Sequence, residues 1–197
     1  MNDGSDLRAF FFKNRGALLA VPAVALVAFG RPTGGSIALG VPIALAGELL
    51  RCWAVGYSGV TTRGDRVSAP RLVTGGPYAH TRNPLYLGNL ITALGFTVAF
   101  TGGLSATARV LLGGFGIGAM LAVYAAIVPH EEAFLAETFG DDYADYWVRV
   151  PRVGWRIKPA EFTKGSFDPN VIVEAETKTF ITFAAMTGAL ALKSLLR

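Results

Sequence analysis

Five apolar runs separated by polar segments restrict what this 197-residue chain can fold into. A helix that crosses a bilayer needs about 20 apolar residues, within a range of roughly 17–25. The three middle runs meet that length, whereas the first and last are marginal and would need tilt or flanking residues to cross. The runs cover residues 16–30, 37–57, 84–100, 108–128 and 180–192.

Charge is scarce in this chain, because only 16% of its residues are Asp, Glu, Lys or Arg. A soluble domain carries roughly 25%, so these charges are too few to coat a water-soluble globule of this size. The sequence therefore predicts an all-α, multispan integral membrane bundle of about five transmembrane helices. We expect one membrane domain over 1–197, with its last membrane helix over 177–194.

The basic residues indicate how such a bundle would lie in the membrane. If the runs alternate in direction, 13 Lys and Arg side chains flank one side and three flank the other. The positive-inside rule then places the N-terminus, the loop 58–83 and the segment 129–176 in the cytoplasm. Arg outnumbers Lys 13 to 5, which favours a GC-rich bacterial source and hence a bacterial inner membrane. The net charge of +4 is explained by topology and membrane lipids, so we expect no nucleic-acid partner.

The first polar segment ends in a dense group of turn-forming and aromatic residues. Asn83 and Pro84 fit a helix start, with Asn as the N-cap and Pro at the first helical position. Arg82 directly precedes this start, where the helix N-terminus already favours anions. A carboxylate or phosphate would be held there by both. Tyr78 and Tyr86 also suit a plain interfacial role.

The second polar segment begins with His130, Glu131 and Glu132 where the fourth run ends. Aromatic and apolar residues then recur at helical spacing, which predicts an amphipathic helix on the membrane face. Carboxylates at a membrane boundary must be hydrated or paired. They could pair with Arg82 or Arg149, or they could hold an ammonium, a sulfonium or ribose hydroxyls.

Three smaller features complete the polar inventory. Glu48 and Arg51 share one helix face near the end of the second run, either as a pair or as a wall of a headgroup pocket. The His and Glu spacing fits no helical metal motif, so we expect no metal. Gly114 and Gly118 form a GxxxG pattern that allows close helix packing. Residues 166–179 suggest no role, and the oligomeric state stays open.

The two polar segments together resemble the isoprenylcysteine carboxyl methyltransferase family and the related phospholipid methyltransferases. The first half of the pattern is Gly-Pro-Tyr at 76–78 followed by Arg-Asn-Pro-Leu-Tyr-Leu-Gly at 82–88. The second half is Glu-Glu at 131–132 with Phe-Gly-Asp-Asp-Tyr-Ala-Asp-Tyr at 139–146. Asn83 departs from the pattern, because many members have His there, so a role that needs a charge at this position is in doubt.

The resemblance implies a cytosol-facing pocket for S-adenosylmethionine, with Arg82 and Glu132 as the catalytic pair. Arg82 would bind the methionyl carboxylate, a Glu would bind the ammonium or ribose, and tyrosine faces would suit the sulfonium. Candidates for substrate contact are Glu48, Arg51, Arg149 and Arg152. The resemblance places the following residues around the cofactor: Tyr78, His80, Arg82, Asn83, Tyr86, Leu87, Gly88, Glu131, Glu132, Tyr143 and Tyr146.

The sequence thus predicts methyl transfer from S-adenosylmethionine to a lipophilic small molecule or lipid, through a carboxylate, amine or thiol. Two alternatives remain open. One is a membrane reductase that binds a nicotinamide dinucleotide in a similar pocket. The other is a multispan scaffold without catalysis, whose arginines set topology and bind anionic lipid.

Overall fold

The computed structural model describes residues 3–59, 69–161 and 164–196, with side chains from residue 14 onward. Five α-helices account for most of these residues, and none of the described residues lies in a β-strand. The predicted all-α bundle is therefore confirmed. The helices are α1 (Asp3–Phe29), α2 (Gly34–Ser58), α3 (Pro84–Thr101), α4 (Ala106–Arg149) and α5 (Asn170–Leu195).

Three of these helices, α2, α3 and α4, are long and apolar enough to cross a membrane. The described stretch Asn14–Phe29 of α1 is a shorter apolar helix. The fifth predicted run forms α5, but this helix begins at Asn170 rather than at the predicted residue 177. Its first turns carry Glu174 and Glu176, which end the apolar run in the sequence without ending the helix.

The segment that follows the fourth run continues α4 as far as Gly140, where two helices join at a kink, and the second of them runs to Arg149. Pro129 lies inside the helix without ending it. The helix changes direction at Gly140, whose φ of 51° and ψ of −124° are non-helical and are accessible mainly to glycine. Of the predicted loop 58–83, residues 60–68 lie outside the described part of the chain. A 3-10 turn at Gly76–Ala79 leads towards α3.

Helices α2 and α3 form the closest helix pair in the described bundle, through glycines on both helices. A Cβ atom at Gly95 would lie 2.2 Å from the backbone nitrogen of Ala44, and one at Gly40 would lie 2.4 Å from the Gly95 carbonyl oxygen. By contrast, Gly114 and Gly118 of the GxxxG pattern have nothing within 4 Å of a built Cβ. That pattern therefore does not mark the close packing within this chain.

The bundle places the long polar segments at one end and the short turns 30–33 and 102–105 at the other. A core of Leu26, Ala44, Phe96, Phe100 and Leu190 joins α1, α2, α3 and α5. Because the helices run alternately up and down, the start of α3 and the end of α4 lie at the same end. The two segments singled out in the sequence therefore meet.

Candidate functional site

Backbone hydrogen bonds hold the loop before α3 against the segment after α4. The Arg82 amide donates to the Pro151 carbonyl at 2.9 Å, and the Arg156 amide donates to the His80 carbonyl at 3.0 Å. The His80 side chain takes part too, because its Nδ1 lies 2.6 Å from the Arg156 carbonyl oxygen. This pairing fixes the position of each polar side chain described below.

Glu132 lies at the centre of a buried charged group in which two arginines share one carboxylate. Arg82 Nε donates to Glu132 Oε1 at 3.0 Å, and Arg152 Nε donates to Oε2 at 2.8 Å. Asn83 Nδ2 contacts the Arg152 carbonyl at 3.2 Å. We call Arg82, Glu132 and Arg152 the basic cluster, because its cations outnumber its carboxylate.

The two arginines of the basic cluster differ in their access to solvent. The Arg82 side chain is 7% exposed and is also bound by Trp147, whose carbonyl accepts from Nη1 at 2.6 Å and whose ring centroid lies 5.1 Å away. The Arg152 side chain is 45% exposed. Its hydrogen bonds to Glu132 raise the pKa of Arg152 above the ordinary value. Arg152 is therefore the cation that a ligand from solvent can reach.

Asn83 is the residue before α3, as predicted, but its side chain does not cap the helix. It points instead to the segment after α4, where it donates to the Arg152 carbonyl and lies 3.5 Å from Glu132 Oε1. A neutral amide can donate hydrogen bonds to both oxygens, so no charged residue is needed at this position. The departure from the family pattern at this position therefore keeps a hydrogen-bonding group in the basic cluster.

Tyr143 and Tyr146 of α4 lie beside this cluster, whereas the Tyr78 phenol faces Ser58. The Tyr146 hydroxyl donates to the Tyr78 carbonyl at 2.9 Å, and the rings of Tyr143 and Tyr146 lie 6.0 Å apart. Within the described part of the chain, the buried Tyr143 hydroxyl has no hydrogen-bond partner. Burial raises the pKa of the Tyr78 phenol to about 12, although a hydrogen bond with Ser58 opposes the shift.

Glu131 faces different partners from its neighbour Glu132. The Tyr86 hydroxyl donates to Glu131 Oε1 at 2.7 Å, and the Tyr86 ring packs on the edge of Tyr124 at 4.5 Å. Consecutive residues of an α-helix point about 100° apart, so two adjacent glutamates cannot face the same ligand equally. The predicted cofactor residues thus divide between two sides of α4.

Gly88 and Leu87 lie on the side of α3 that faces α2. A Cβ atom at Gly88 would lie 2.7 Å from Arg51 Cγ and 2.8 Å from the Gly47 carbonyl oxygen. Gly88 therefore permits the close contact between the two helices. Leu87 lines an apolar groove on the same side.

That groove has a volume of about 560 Å³. Its rim carries Trp155, which stacks on His80 with centroids 4.5 Å apart and planes 7° apart. Trp53 lies 6.2 Å from each of these rings. Trp53 lies within the second apolar run, where the sequence analysis gave it no role, and Trp155 was missed. The lining consists of Leu49, Leu50, Trp53, Leu87, Ile91, Gly154 and Trp155.

A second buried charged group lies between α2 and α5. Arg51 Nη2 donates to both carboxylate oxygens of Glu176 at 2.8 Å, and Arg51 Nε lies 3.9 Å from Glu48. Arg51 also donates to Asn89 of α3. We call Glu48, Arg51 and Glu176 the acidic cluster. Glu176 was missed because it lies in the stretch 166–179, which showed no motif.

Arg149, a predicted substrate contact, belongs to neither cluster. It pairs with Asp145 at 3.7 Å, and both side chains are about half exposed or more. The structure therefore separates it from Arg152, which the sequence analysis grouped with it.

Comparison with known proteins identifies the class to which this fold and these motifs belong. The chain matches the phospholipid methyltransferase family over residues 36–142, which is more than half of its length. The chain belongs to that family. The matched region contains the predicted motif at 76–88 and both adjacent glutamates.

Two curated proteins are similar to the same part of the chain. One is the cobalt-zinc-cadmium resistance protein CzcN of Cupriavidus metallidurans, 36% identical over 113 residues. The other is protein-S-isoprenylcysteine O-methyltransferase B of Arabidopsis thaliana, 31% identical over 116 residues. Each match covers 57% of this chain, and the chain spans only 44% and 55% of the two relatives. No solved structure matches the chain.

Proposed function

We propose that this protein transfers a methyl group from S-adenosylmethionine to a lipophilic acceptor at the membrane. The observation that carries the proposal is the basic cluster, where Arg82 and Arg152 share Glu132 at a motif of the methyltransferase family. Membership in the family supports methyl transfer. We infer in addition that the cofactor is S-adenosylmethionine, that the acceptor is lipophilic and that the N-terminus is cytoplasmic.

The basic cluster suits the carboxylate end of the cofactor. An arginine binds a carboxylate through two parallel hydrogen bonds, and Arg152 is the more exposed of the two. Because the cations outnumber the carboxylate, an incoming carboxylate would balance the charge of the cluster. The Tyr143 hydroxyl, which has no partner among the described residues, adds a donor that a polar ligand could use.

The aromatic rings near the cluster suit the rest of the cofactor. The sulfonium carries positive charge, and aromatic faces attract cations with about 0.5–1 kcal/mol at exposed sites and more when water is excluded. Tyr143, Tyr146 and Trp147 offer such faces beside the arginines. S-adenosylmethionine supplies an activated methyl group, and the chain's part is to position the donor and the acceptor.

The apolar groove supports a lipophilic acceptor. It lies between α2 and α3, two helices that are long and apolar enough to cross a membrane, so an acyl or prenyl chain could enter it from the bilayer. Its rim at Trp155 contacts His80, which precedes Arg82 by two residues. A carboxylate acceptor would need no base, whereas an amine or thiol must first lose its proton.

Calorimetric titration of S-adenosylmethionine and S-adenosylhomocysteine into the detergent-purified protein tests the proposal. We expect micromolar binding of both, weakened about tenfold or more by Arg82→Ala or Arg152→Ala, since a charge-assisted hydrogen bond contributes about 1.5–3 kcal/mol. Arg71→Ala is the matched control, because that arginine is exposed and, among the described residues, its side chain donates to the Tyr57 carbonyl at 3.4 Å.

Two results would contradict this assignment. Equal affinity in all three variants would show that the basic cluster does not bind the cofactor. Binding of a reduced nicotinamide dinucleotide, with none of S-adenosylmethionine, would favour the reductase instead. If the cofactor binds, incubation with methyl-labelled S-adenosylmethionine and fractionated membrane lipids identifies the acceptor.

A further inference from the structure

The end of the bundle opposite the candidate site has an unusual charge composition. This end is formed by the turns between α1 and α2 and between α3 and α4, together with the end of α5. Residues 24–40, 96–114 and 184–197, which supply these parts, contain no Asp or Glu. Arg31, Arg109 and Lys193 therefore have no carboxylate near them in these stretches.

The hydrogen bonds at this end confirm that backbone oxygens replace carboxylates as partners. Lys193 Nζ donates to the carbonyls of Ala28 at 3.2 Å and Gly30 at 3.0 Å. Arg109 Nη2 donates to the Gly102 carbonyl at 3.1 Å. These bonds satisfy donors and also join α5 to the end of α1. Among the described residues, they leave each of these positive charges without a carboxylate partner.

Arg31 is the cation that most clearly lacks a partner. Its side chain is exposed and makes no hydrogen bond or ion pair within the described residues, although its carbonyl accepts from the Gly103 amide at 2.7 Å. That backbone hydrogen bond joins the two turns and fixes the position of the Arg31 backbone. The backbone of Arg31 is therefore held at a defined place, and its guanidinium makes no polar contact with the described residues.

A cavity of about 430 Å³ brings Arg31 and Lys193 together. Phe29 and Leu196 line the same cavity and are largely exposed, at 70% and 78%. The lining thus combines two cations with apolar side chains at the end of a membrane bundle. A phospholipid has the same combination, with a phosphate beside the start of its acyl chains.

We propose that this cavity binds the phosphate group of an anionic phospholipid. Arg31 would bind two phosphate oxygens through its planar guanidinium, and Lys193 would supply a second positive charge. Phe29 and Leu196 would contact the upper part of the acyl chains. The site is separate from the basic cluster and does not depend on the methyltransferase activity.

Native mass spectrometry of the full-length protein with defined lipids tests this site. The protein is mixed with phosphatidylglycerol and phosphatidylcholine of identical acyl chains, and the lipids that stay bound are counted. We expect the wild type to retain phosphatidylglycerol about tenfold more than phosphatidylcholine, which corresponds to about 1.4 kcal/mol. Arg31→Gln should lose most of this preference, because it removes the guanidinium that binds the phosphate. It should leave the fold intact, because this side chain has no polar partner among the described residues.

Controls separate the site from general charge and from folding. The double variant Lys158→Gln and Lys178→Gln removes two exposed cations nearer the candidate-site end. It should keep the preference for phosphatidylglycerol. Lys193→Gln should also lose it, but this variant removes two hydrogen bonds, so Arg31→Gln is the deciding variant. Unchanged retention in Arg31→Gln, or equal retention of the two lipids by the wild type, would overturn the proposal.

A last arm distinguishes the lipid from free phosphate. Inorganic phosphate at millimolar concentration is added to the wild type in place of the anionic lipid, and thermal unfolding in neutral detergent is followed. We expect no Arg31-dependent shift, because phosphate alone lacks the apolar contacts. A shift equal to that produced by phosphatidylglycerol would assign the cavity to a soluble anion and overturn the lipid assignment.

Discussion

Two charged groups in the described part of the chain, one buried and one partly exposed, have opposite compositions. In the basic cluster, Arg82 and Arg152 share the single carboxylate Glu132. In the acidic cluster, Glu48 and Glu176 flank the single cation Arg51. Each group contains three charges, and the groups differ in which sign is in excess and in how much of each is exposed to solvent.

Exposure separates the roles of the two clusters. In the acidic cluster, the Arg51 side chain is 7% exposed and that of Glu176 is fully buried, and the pair joins α2 to α5. In the basic cluster, Arg152 is 45% exposed and projects from a segment outside the helices. A sealed ion pair between helices serves packing, whereas an exposed cation beside a buried one can bind a ligand. We therefore expect substitutions in the first cluster to change stability and those in the second to change affinity.

Arg51→Met should have the largest effect of the variants that test this comparison. It removes the cation that Glu48 and Glu176 share and leaves two buried carboxylates together. Loss of one partner of a buried pair destabilises proteins by about 3–5 kcal/mol. We expect a much lower midpoint of thermal unfolding in detergent, or failure to purify as a single species.

A matched double variant keeps this prediction testable even if Arg51→Met does not fold. Arg51→Met combined with Glu176→Leu removes both members of the closer pair and should recover part of the lost stability, because apolar replacement of a buried pair is often neutral or stabilising, whereas Glu48 stays buried without this cation. If the double variant is no more stable than Arg51→Met, the pair does not join the helices as described.

Gly88→Ala should have the next largest effect, and it distinguishes packing from ligand binding at one position. The resemblance to the family implies that Gly88 lines the cofactor. In the structure, however, a Cβ atom added at Gly88 would lie 2.7 Å from Arg51 Cγ. Overpacking costs about 1–3 kcal/mol. We expect a clear fall in the unfolding midpoint, with a smaller change in the affinity for S-adenosylmethionine.

The matched control for this glycine is Gly114→Ala, which adds the same methyl group where nothing lies within 4 Å. Its unfolding midpoint should stay unchanged or rise slightly, because alanine is the better helix former. A large loss of affinity in Gly88→Ala, with normal stability, would show that this glycine contacts the cofactor. The proposed division between a packing cluster and a binding cluster would then fail at this position.

The helices could be predicted from the sequence because apolar length is a local property. The runs 37–57 and 84–100 differ from α2 and α3 by only a few residues. Which helices pack closely could not be predicted in the same way. The GxxxG pattern at Gly114 suggested one contact, but the close contact uses Gly40 and Gly95, which lie far apart in the sequence. Such a pairing depends on how two helices align, and no local spacing records it.

The site was predicted only as far as its motifs reach. The meeting of Arg82 with Glu132 could be expected, because both motifs border apolar runs on one side of the membrane. Glu176 could not, because its partner Arg51 is 125 residues away and no motif surrounds it. The division between Glu131 and Glu132 follows from helix geometry, but which of them faces Arg82 depends on the rotation of α4 in the bundle.

Tyr143→Phe should have the smallest effect on stability, and it tests whether the basic cluster is completed by a ligand. The buried Tyr143 hydroxyl has no partner among the described residues, so its removal breaks no hydrogen bond seen within the chain. If a bound cofactor accepts this hydrogen bond, the affinity for S-adenosylmethionine should fall about three- to tenfold, since a typical hydrogen bond contributes about 0.5–1.5 kcal/mol. Calorimetric titration and thermal unfolding measure the two quantities separately.

Tyr146→Phe is the matched control, because the Tyr146 hydroxyl donates to the Tyr78 carbonyl at 2.9 Å. Its loss leaves that carbonyl without this donor, so this variant should lose more stability than Tyr143→Phe. The two variants thus compare the Tyr146 hydroxyl, which is hydrogen-bonded, with the Tyr143 hydroxyl, which has no partner among the described residues. The two rings lie 6.0 Å apart. If Tyr143→Phe loses as much stability as Tyr146→Phe and keeps full affinity, its hydroxyl belongs to the packing of α4. The basic cluster would then bind its ligand through the arginines alone.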